Sequence, residues 1–431
     1  MAGLRQQLLL AWVLAGSVVA ALPAGALTLA EALATADDPH PDLRSAQADV
    51  AVAQADEQAA GARQDLTVSF EGVLRRGRAT LGADEWRADN SARIVARKNL
   101  YDFSRTEAAL GAARAETGAR ENALINARDQ RRLDIMARYF DVLSADQQYA
   151  ADNEFMAVAY VAMDNGRDRA EVGQLSRPEF AVLEAHYQDL REKRNASLAR
   201  QRASRAQLAN ALNRPGMLAS ALEAPALPDN NAKLPDYETL LPWVLMHNRR
   251  VMAQQQLLAA AQQRLAGLRH ETSPSLDAEL VAADYSRVAT TRDSLSGGLV
   301  LSWPLYQGGR TDAGIAREQA QFQKLQAGAE QLQMEVAQAL LEVLLEIRQL
   351  RDSSRVAAQK QVEYRDVALE RSRAEYELEL KSNLGDSMAQ TMTAALRAHS
   401  VEYRLALALA RLEALAGKPL PDIIALANKQ P

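Results

Sequence analysis

The sequence predicts a mainly α-helical protein with a membrane β-barrel contribution, built as two tandem repeats that each carry long coiled-coil-like helices and a two-stranded β-hairpin. Three observations carry this. Ser296 to Arg310 alternates apolar residues with small or polar ones up to Trp303 and then breaks at Pro304 and Gly308-Gly309, as a membrane strand running into a helix does. After Arg310 the period changes from two to seven, with Ile315, Phe322, Ala329, Val336, Val343 and Leu350 on one heptad seam. The chain also repeats itself. Leu305-Tyr306-Gln307-Gly308-Gly309-Arg310 follows Leu100-Tyr101-Asp102-Phe103-Ser104-Arg105, and Leu412 to Pro419 follows Leu208 to Pro215, each at an offset of about 205 residues.

Taken in order, residues 1–26 read as a secretory leader: Arg5, an apolar run from Leu8 to Leu22, and small residues Ala24-Gly25-Ala26 before the expected cleavage. The apolar run is about 15 residues, short of the roughly 20 that a spanning helix needs. The first repeat is expected over residues 27–224. It opens on Leu27-Thr28-Leu29-Ala30-Glu31-Ala32-Leu33, a short helix with Thr28 and Glu31 spaced as a capping box, and Asp38-Pro39-His40-Pro41 ends it. An Ala- and Gln-rich helix over 42–65 leads to a hairpin at about 66–101. There Leu66, Val68, Phe70, Gly72 and Leu74 alternate with Thr67, Ser69, Glu71 and Val73, and Ala92, Ile94 and Ala96 alternate with Arg93, Val95 and Arg97. A helix from about Ser104 to Glu171 would be on the order of 100 Å long at 1.5 Å per residue. Gly173 breaks it, Ser176 restarts it, and a return helix reaches Leu212.

A Pro-rich linker is expected over 225–235, then a second repeat over 236–421 and a tail over 422–431. In that repeat His247 to Glu271 mirrors the first Ala- and Gln-rich helix. Its hairpin, at about 275–305, carries Leu276, Ala278, Leu280 and Ala282 on one strand and Leu295, Gly297, Leu299, Leu301 and Trp303 on the other. Trp303 and Tyr306, with Tyr101 at the corresponding place in the first repeat, are expected at the membrane interface, where amphipathic rings are favoured.

Composition narrows the function. Cys is absent from all 431 residues, which excludes a disulfide framework, a thiolate metal site and a Cys nucleophile. The net charge of -5, about -6 once Arg5 leaves with the leader, is spread without a basic block, so nucleic acid is not an expected partner. The five His residues (His40, His186, His247, His270 and His399) are scattered with no ligand pair at helical spacing. No Gly-x-Ser-x-Gly elbow is present. The expectation is therefore no catalytic site, no cofactor and no metal. Aromatic residues are only 5% of the chain, and the abundance of Ala and Gln suits close helix packing. Four strands cannot close a barrel, and unpaired edges are not tolerated in lipid, so several copies must each contribute four. Eight strands from a dimer would leave a filled interior, whereas 12 from a trimer would leave a lumen.

With these residues in view, the chain resembles the TolC family of outer-membrane efflux and secretion channels over essentially all of its mature length. Leu27 to Leu33, Val172-Gly173, Trp303 to Arg310 and Leu415-Ala416-Gly417-Lys418-Pro419 carry the resemblance by their order and spacing. It implies a homotrimer with a 12-stranded outer-membrane barrel and a helical periplasmic tunnel, docked to a periplasmic adaptor and an inner-membrane RND or ABC pump. Energy would come from that pump, since the chain lacks a Walker A loop. The resemblance also places Glu179, on the first helical tip, against Tyr376 and Lys381 on the second, as contacts that hold the periplasmic entrance shut. Ser176-Arg177-Pro178-Glu179 is at the same time a capping box. At the second tip the chain departs from the family: Glu379 stands where a glycine is usual, and the pair of acids three residues apart that forms an acidic constriction ring is reduced to Asp386 as the gate's remaining acid, with Gly385 and Met388 at the expected places. Within this class, passive efflux of small molecules or metals and type I protein secretion use the same duct. A periplasmic coiled-coil adaptor would need a β-rich lipoyl-like module, and the hairpins here alternate with barrel strands instead.

Overall fold

The computed structural model describes residues 26–78, 85–217, 221–287, 292–378 and 383–427. The predicted leader therefore lies, up to residue 25, outside the described residues. The helices are α1 (Leu29–Ala34), α2 (Pro41–Gly61), α3 (Arg105–Glu171), α4 (Arg177–Ala211), α5 (Tyr237–His247), α6 (Arg249–Arg269), α7 (Arg310–Gln349), α8 (Arg355–Glu377), α9 (Leu384–Ala416) and α10 (Leu420–Ala427). The strands are β1 (Thr67–Val73), β2 (Arg76–Arg78), β3 (Trp86–Ala88), β4 (Ser91–Tyr101), β5 (Ser275–Tyr285) and β6 (Leu295–Ser302). No helix among the described residues is long and apolar enough to cross a membrane.

The chain forms two compact units, one of residues 1–36 and 135–226 and the other of residues 37–134 and 227–431. Their boundaries cut across the sequence repeats, because α3, at 67 residues, contributes to both. In the first unit α1 begins with the predicted box, Thr28 accepting from the Glu31 amide while the Glu31 carboxylate accepts from the Thr28 amide at 2.9 Å. Leu27 forms a parallel bridge with Leu222. The buried Tyr139 hydroxyl donates toward the carbonyls of Leu27, at 2.7 Å, and Glu223, tying both ends of this unit to one point on α3. Along α3 and α4, Asp146 holds Arg205 through both guanidinium arms and also accepts from Gln201, and Arg194 reaches Tyr149 and Asn153. Gly166 lets the return helix approach closely: a Cβ there would come 2.5 Å from the Leu183 Cδ1 methyl, which would have to shift.

The second unit contains the four-stranded sheet and the larger apolar core. That core joins Leu240 and Val244 of α5, Val336, Leu340, Val343 and Ile347 of α7, and Leu405, Leu409 and Leu412 of α9. The heptad seam is fully buried in this unit only from Val336 onward; Ile315, Phe322 and Ala329 are half-buried. Between α7 and α8 the helix passes through one π-helical turn, Leu350–Ser354, and the seam resumes at Ala358, eight residues after Leu350 instead of seven. The extra residue is absorbed by the wider turn, which keeps the buried stripe aimed at α9. Farther along the unit the predicted close packing is seen at Gly111 and Gly118 of α3, which lie against Gln263 and Gln256 of α6.

Three elements differ from the sequence expectation. α5 occupies a stretch between the linker and His247 for which the sequence predicts no element; Pro242 lies inside it, yet burial of Leu240 and Val244 holds it. The polar loop of the first hairpin forms the short pair β2 and β3, while Gly82 lies outside the described residues. The expected tail is entered by α10, which continues because Ile423 is fully buried in the core.

Candidate channel sheet and periplasmic tips

The sheet has the order β1-β4-β5-β6 and is antiparallel throughout. Its register sorts every alternating set onto one face. Val68 lies opposite Ala96, Ala96 opposite Leu280, and Leu280 opposite Gly297; Phe70, Ile94, Ala282 and Leu295 form the next row. Phe70 and Leu299 remain 72% and 67% exposed, so this apolar face has no covering layer among the described residues. The other face is polar and internally paired: Arg93 meets Glu71, Arg97 meets Glu279 at 2.5 Å, and Asn99 donates to Asp277 at 2.9 Å. One face suited to lipid and one suited to water is the arrangement a barrel wall requires. β1 and β6 each have one paired side, so the sheet ends in two open edges.

Both hairpins pass into their helices through the same device. In the first, Phe103 and Ser104 both take positive φ, at 56° and 62°; in the second, Gly308 and Gly309 do so at 63° and 77°. Asp102 accepts from the Thr106 amide at 2.8 Å and from its hydroxyl, and Thr311 donates in the same sense to Gln307 at 3.4 Å. Two successive left-handed residues turn the strand abruptly into a helix start. Tyr101, Trp303 and Tyr306 stand at this end of the sheet, 55%, 62% and 89% exposed. Tyr101 stacks at a tilt on Phe103, with ring centroids 4.8 Å apart, and a bulge between Asn99 and Tyr101 brings Tyr101 opposite Leu276.

At the first tip Gly173, with φ 76°, closes α3, and its amide donates to the Ala170 carbonyl at 3.1 Å. Ser176 then caps α4. Its amide and its hydroxyl both donate to Glu179, at 2.9 and 2.7 Å, and these bonds hold the Glu179 carboxyl below the usual carboxylate range. At the second tip Tyr376 is 65% exposed on α8. Asp386 lies in the first turn of α9, where its carboxylate accepts from Gln390 at 2.6 Å. Asn383 stands at the cap position without a side-chain cap bond. Ser372 and Ser387 meet at 2.7 Å across this hairpin. Glu379 and Lys381 lie outside the described residues. No group of three or more metal-ligating side chains occurs among the described residues.

No protein-family model matches the chain. It is 24% identical over 334 residues to the outer membrane efflux protein BepC of Brucella suis biovar 1 (strain 1330), spanning 76% of this chain and 71% of that protein. Among solved structures it is similar to the outer membrane protein VceC of Vibrio cholerae, with a TM-score of 0.72 and 16% identity over 91% of this chain and 96% of that one. It is also similar to the Campylobacter jejuni CmeC outer membrane channel, with a TM-score of 0.73 and 13% identity over 90% and 85% of the two chains. The chain thus shares the fold of these outer-membrane proteins over about nine-tenths of its length. The fold and the similarity to BepC agree with the resemblance to the TolC family read from the sequence.

Proposed function

We propose that the chain is the outer-membrane exit duct of a tripartite export system, passively conducting small-molecule or metal substrates delivered by an inner-membrane RND or ABC pump through a periplasmic adaptor. One observation carries this reading: a sheet with a lipid-suited apolar face, a paired polar face and two open edges runs directly into α3 and α7. Pairing β6 of one copy with β1 of the next satisfies both edges, and three copies supply the 12 strands that leave a lumen. α3, on the order of 100 Å long at 1.5 Å per residue, would continue such a lumen well into the periplasm. The similarity to an efflux protein, BepC, favours efflux over protein secretion through the same duct.

The gate belongs to this proposal. Glu179 caps its helix through one carboxylate oxygen, and its other oxygen is the one that would take Tyr376 and Lys381 of the other hairpin in a closed entrance. With Gly385 and Met388 at the places of the usual two acids, only Asp386, one oxygen of which accepts from Gln390, is left to an acidic constriction ring. The test of the whole reading is reconstitution of the purified mature chain. A heat-modifiable trimer from outer-membrane fractions that conducts ions in planar bilayers is expected; a monomer, or a trimer that leaves the bilayer silent, would overturn it.

A further inference from the structure

The four-stranded sheet contains three basic residues, Arg93, Arg97 and Lys98. Arg93 and Arg97 lie on the polar face and are held by Glu71 and Glu279. Lys98 is different. It is opposite Ala278, whose other neighbour is Leu299, so it belongs to the apolar face. It is exposed, and no acid or hydrogen-bond acceptor among the described residues partners it. A cation among lipid-facing side chains is costly at the bilayer midplane, and that cost falls toward zero near the interface.

The internal repeat gives the depth. The offset that carries Leu100-Tyr101 onto Leu305-Tyr306 carries Lys98 onto Trp303. Each residue therefore stands at the same stage of its own strand-to-helix junction, two residues ahead of a Leu-Tyr pair and a turn of two left-handed residues. One repeat puts an amphipathic ring at this stage and the other an ammonium group on an apolar stem. From Lys98 to the end of β4 is about 10 Å of strand, or about 7 Å of depth at a tilt of about 45°. The lysine stem covers that distance by running along the apolar surface and delivering its charge to the headgroup layer.

We propose that Lys98 is a binding site for the phosphate of an anionic phospholipid in the periplasmic leaflet of the outer membrane, with Tyr101 forming its interfacial wall. The proposal rests on the sheet being a membrane wall, and two readouts separate the two ideas. Quenching of Trp303 by brominated lipid, taken as the difference from a Trp303→Phe variant, reports whether this end of the sheet meets lipid. Native mass spectrometry of the detergent-released protein, given equal amounts of phosphatidylglycerol and phosphatidylcholine, reports the site. The parent is expected to retain phosphatidylglycerol in preference, Lys98→Met and Lys98→Gln to lose about fivefold of that preference, and Lys98→Arg to keep it. Excess inorganic phosphate should not displace the lipid. Equal retention of both lipids by the parent, a preference that survives Lys98→Met and Lys98→Gln, or displacement by free phosphate would each overturn the site while Trp303 quenching leaves the membrane wall standing. An unquenched Trp303 would remove the membrane wall and the site together.

Discussion

Single residues at the two junctions show how one backbone geometry is reached from unequal chemistry. Gly308 and Gly309 adopt positive φ without a Cβ to oppose it, and a Cβ added at Gly309 would meet nothing within 4 Å. Phe103 and Ser104 adopt the same φ with side chains present, which costs roughly 1–2 kcal/mol per residue in the left-handed region. Ser104→Gly is therefore expected to raise stability by about 0.5–1 kcal/mol, after allowing for the greater chain entropy of glycine in the unfolded state. Gly309→Ala should lower it by about 1–2 kcal/mol through strain alone. A thermal melt of each purified variant checks both, and equal Tm values for Gly309→Ala and the parent would refute the strain argument. Half of this junction was legible in the sequence, because a Gly-Gly pair after a strand announces left-handed backbone. Phe103 and Ser104 announce nothing; only their place in the duplication identifies them.

At the scale of elements, alternation was the readable signal. The strands β1, β4, β5 and β6, with the face each side chain takes, followed from period-two patterning, and the register confirms that every apolar set shares one face. The sides of β6 give a direct comparison. Leu299→Arg puts a charge on the apolar face near mid-strand and should cost about 2–4 kcal/mol, depleting the assembled form in outer-membrane fractions. Ser296→Arg, opposite Val281 on the polar face, should be much milder. Equal depletion by both would undo the two-faced reading. What the sequence hid are features set by partners distant in the chain. The π-helical turn at Leu350–Ser354 exists because the seam must regain phase between Leu350 and Ala358 against α9, and α5 tolerates Pro242 because Leu240 and Val244 are buried. Neither requirement is visible in a local window.

The whole molecule is where the proposed gate belongs, since it joins tips from different hairpins of an assembled ring. Its first member was legible twice over, as a cap and as a family position, and the structure establishes the cap. Glu179 and Tyr376 are both exposed, so each contact in the proposed gate would contribute only about 0–1 kcal/mol. Three such contacts acting on one two-state entrance would shift its population by several-fold to about 100-fold. Lys381→Glu combined with Tyr376→Phe replaces attraction to Glu179 by repulsion. Higher single-channel conductance and greater sensitivity of cells to large antibiotics are expected, with the assembly intact. A double variant that inserts and conducts like its parent would leave Glu179 a helix cap and nothing more.

The two open edges of the sheet also make each copy a bifunctional monomer, in the sense of polymer chemistry: one reactive end at β1, the other at β6. Ring closure is then the only termination step that leaves no end exposed to lipid. A copy whose β6 carries prolines in place of residues that point their N–H away from β5 still couples through β1 but adds nothing beyond itself, a chain stopper. Mixed in equal amounts with the parent in a three-membered ring, it would leave about one ring in eight free of stoppers. Co-expression should therefore depress export far more than halving the dose of the parent does, and a proportionate loss would mean that the edges do not drive assembly.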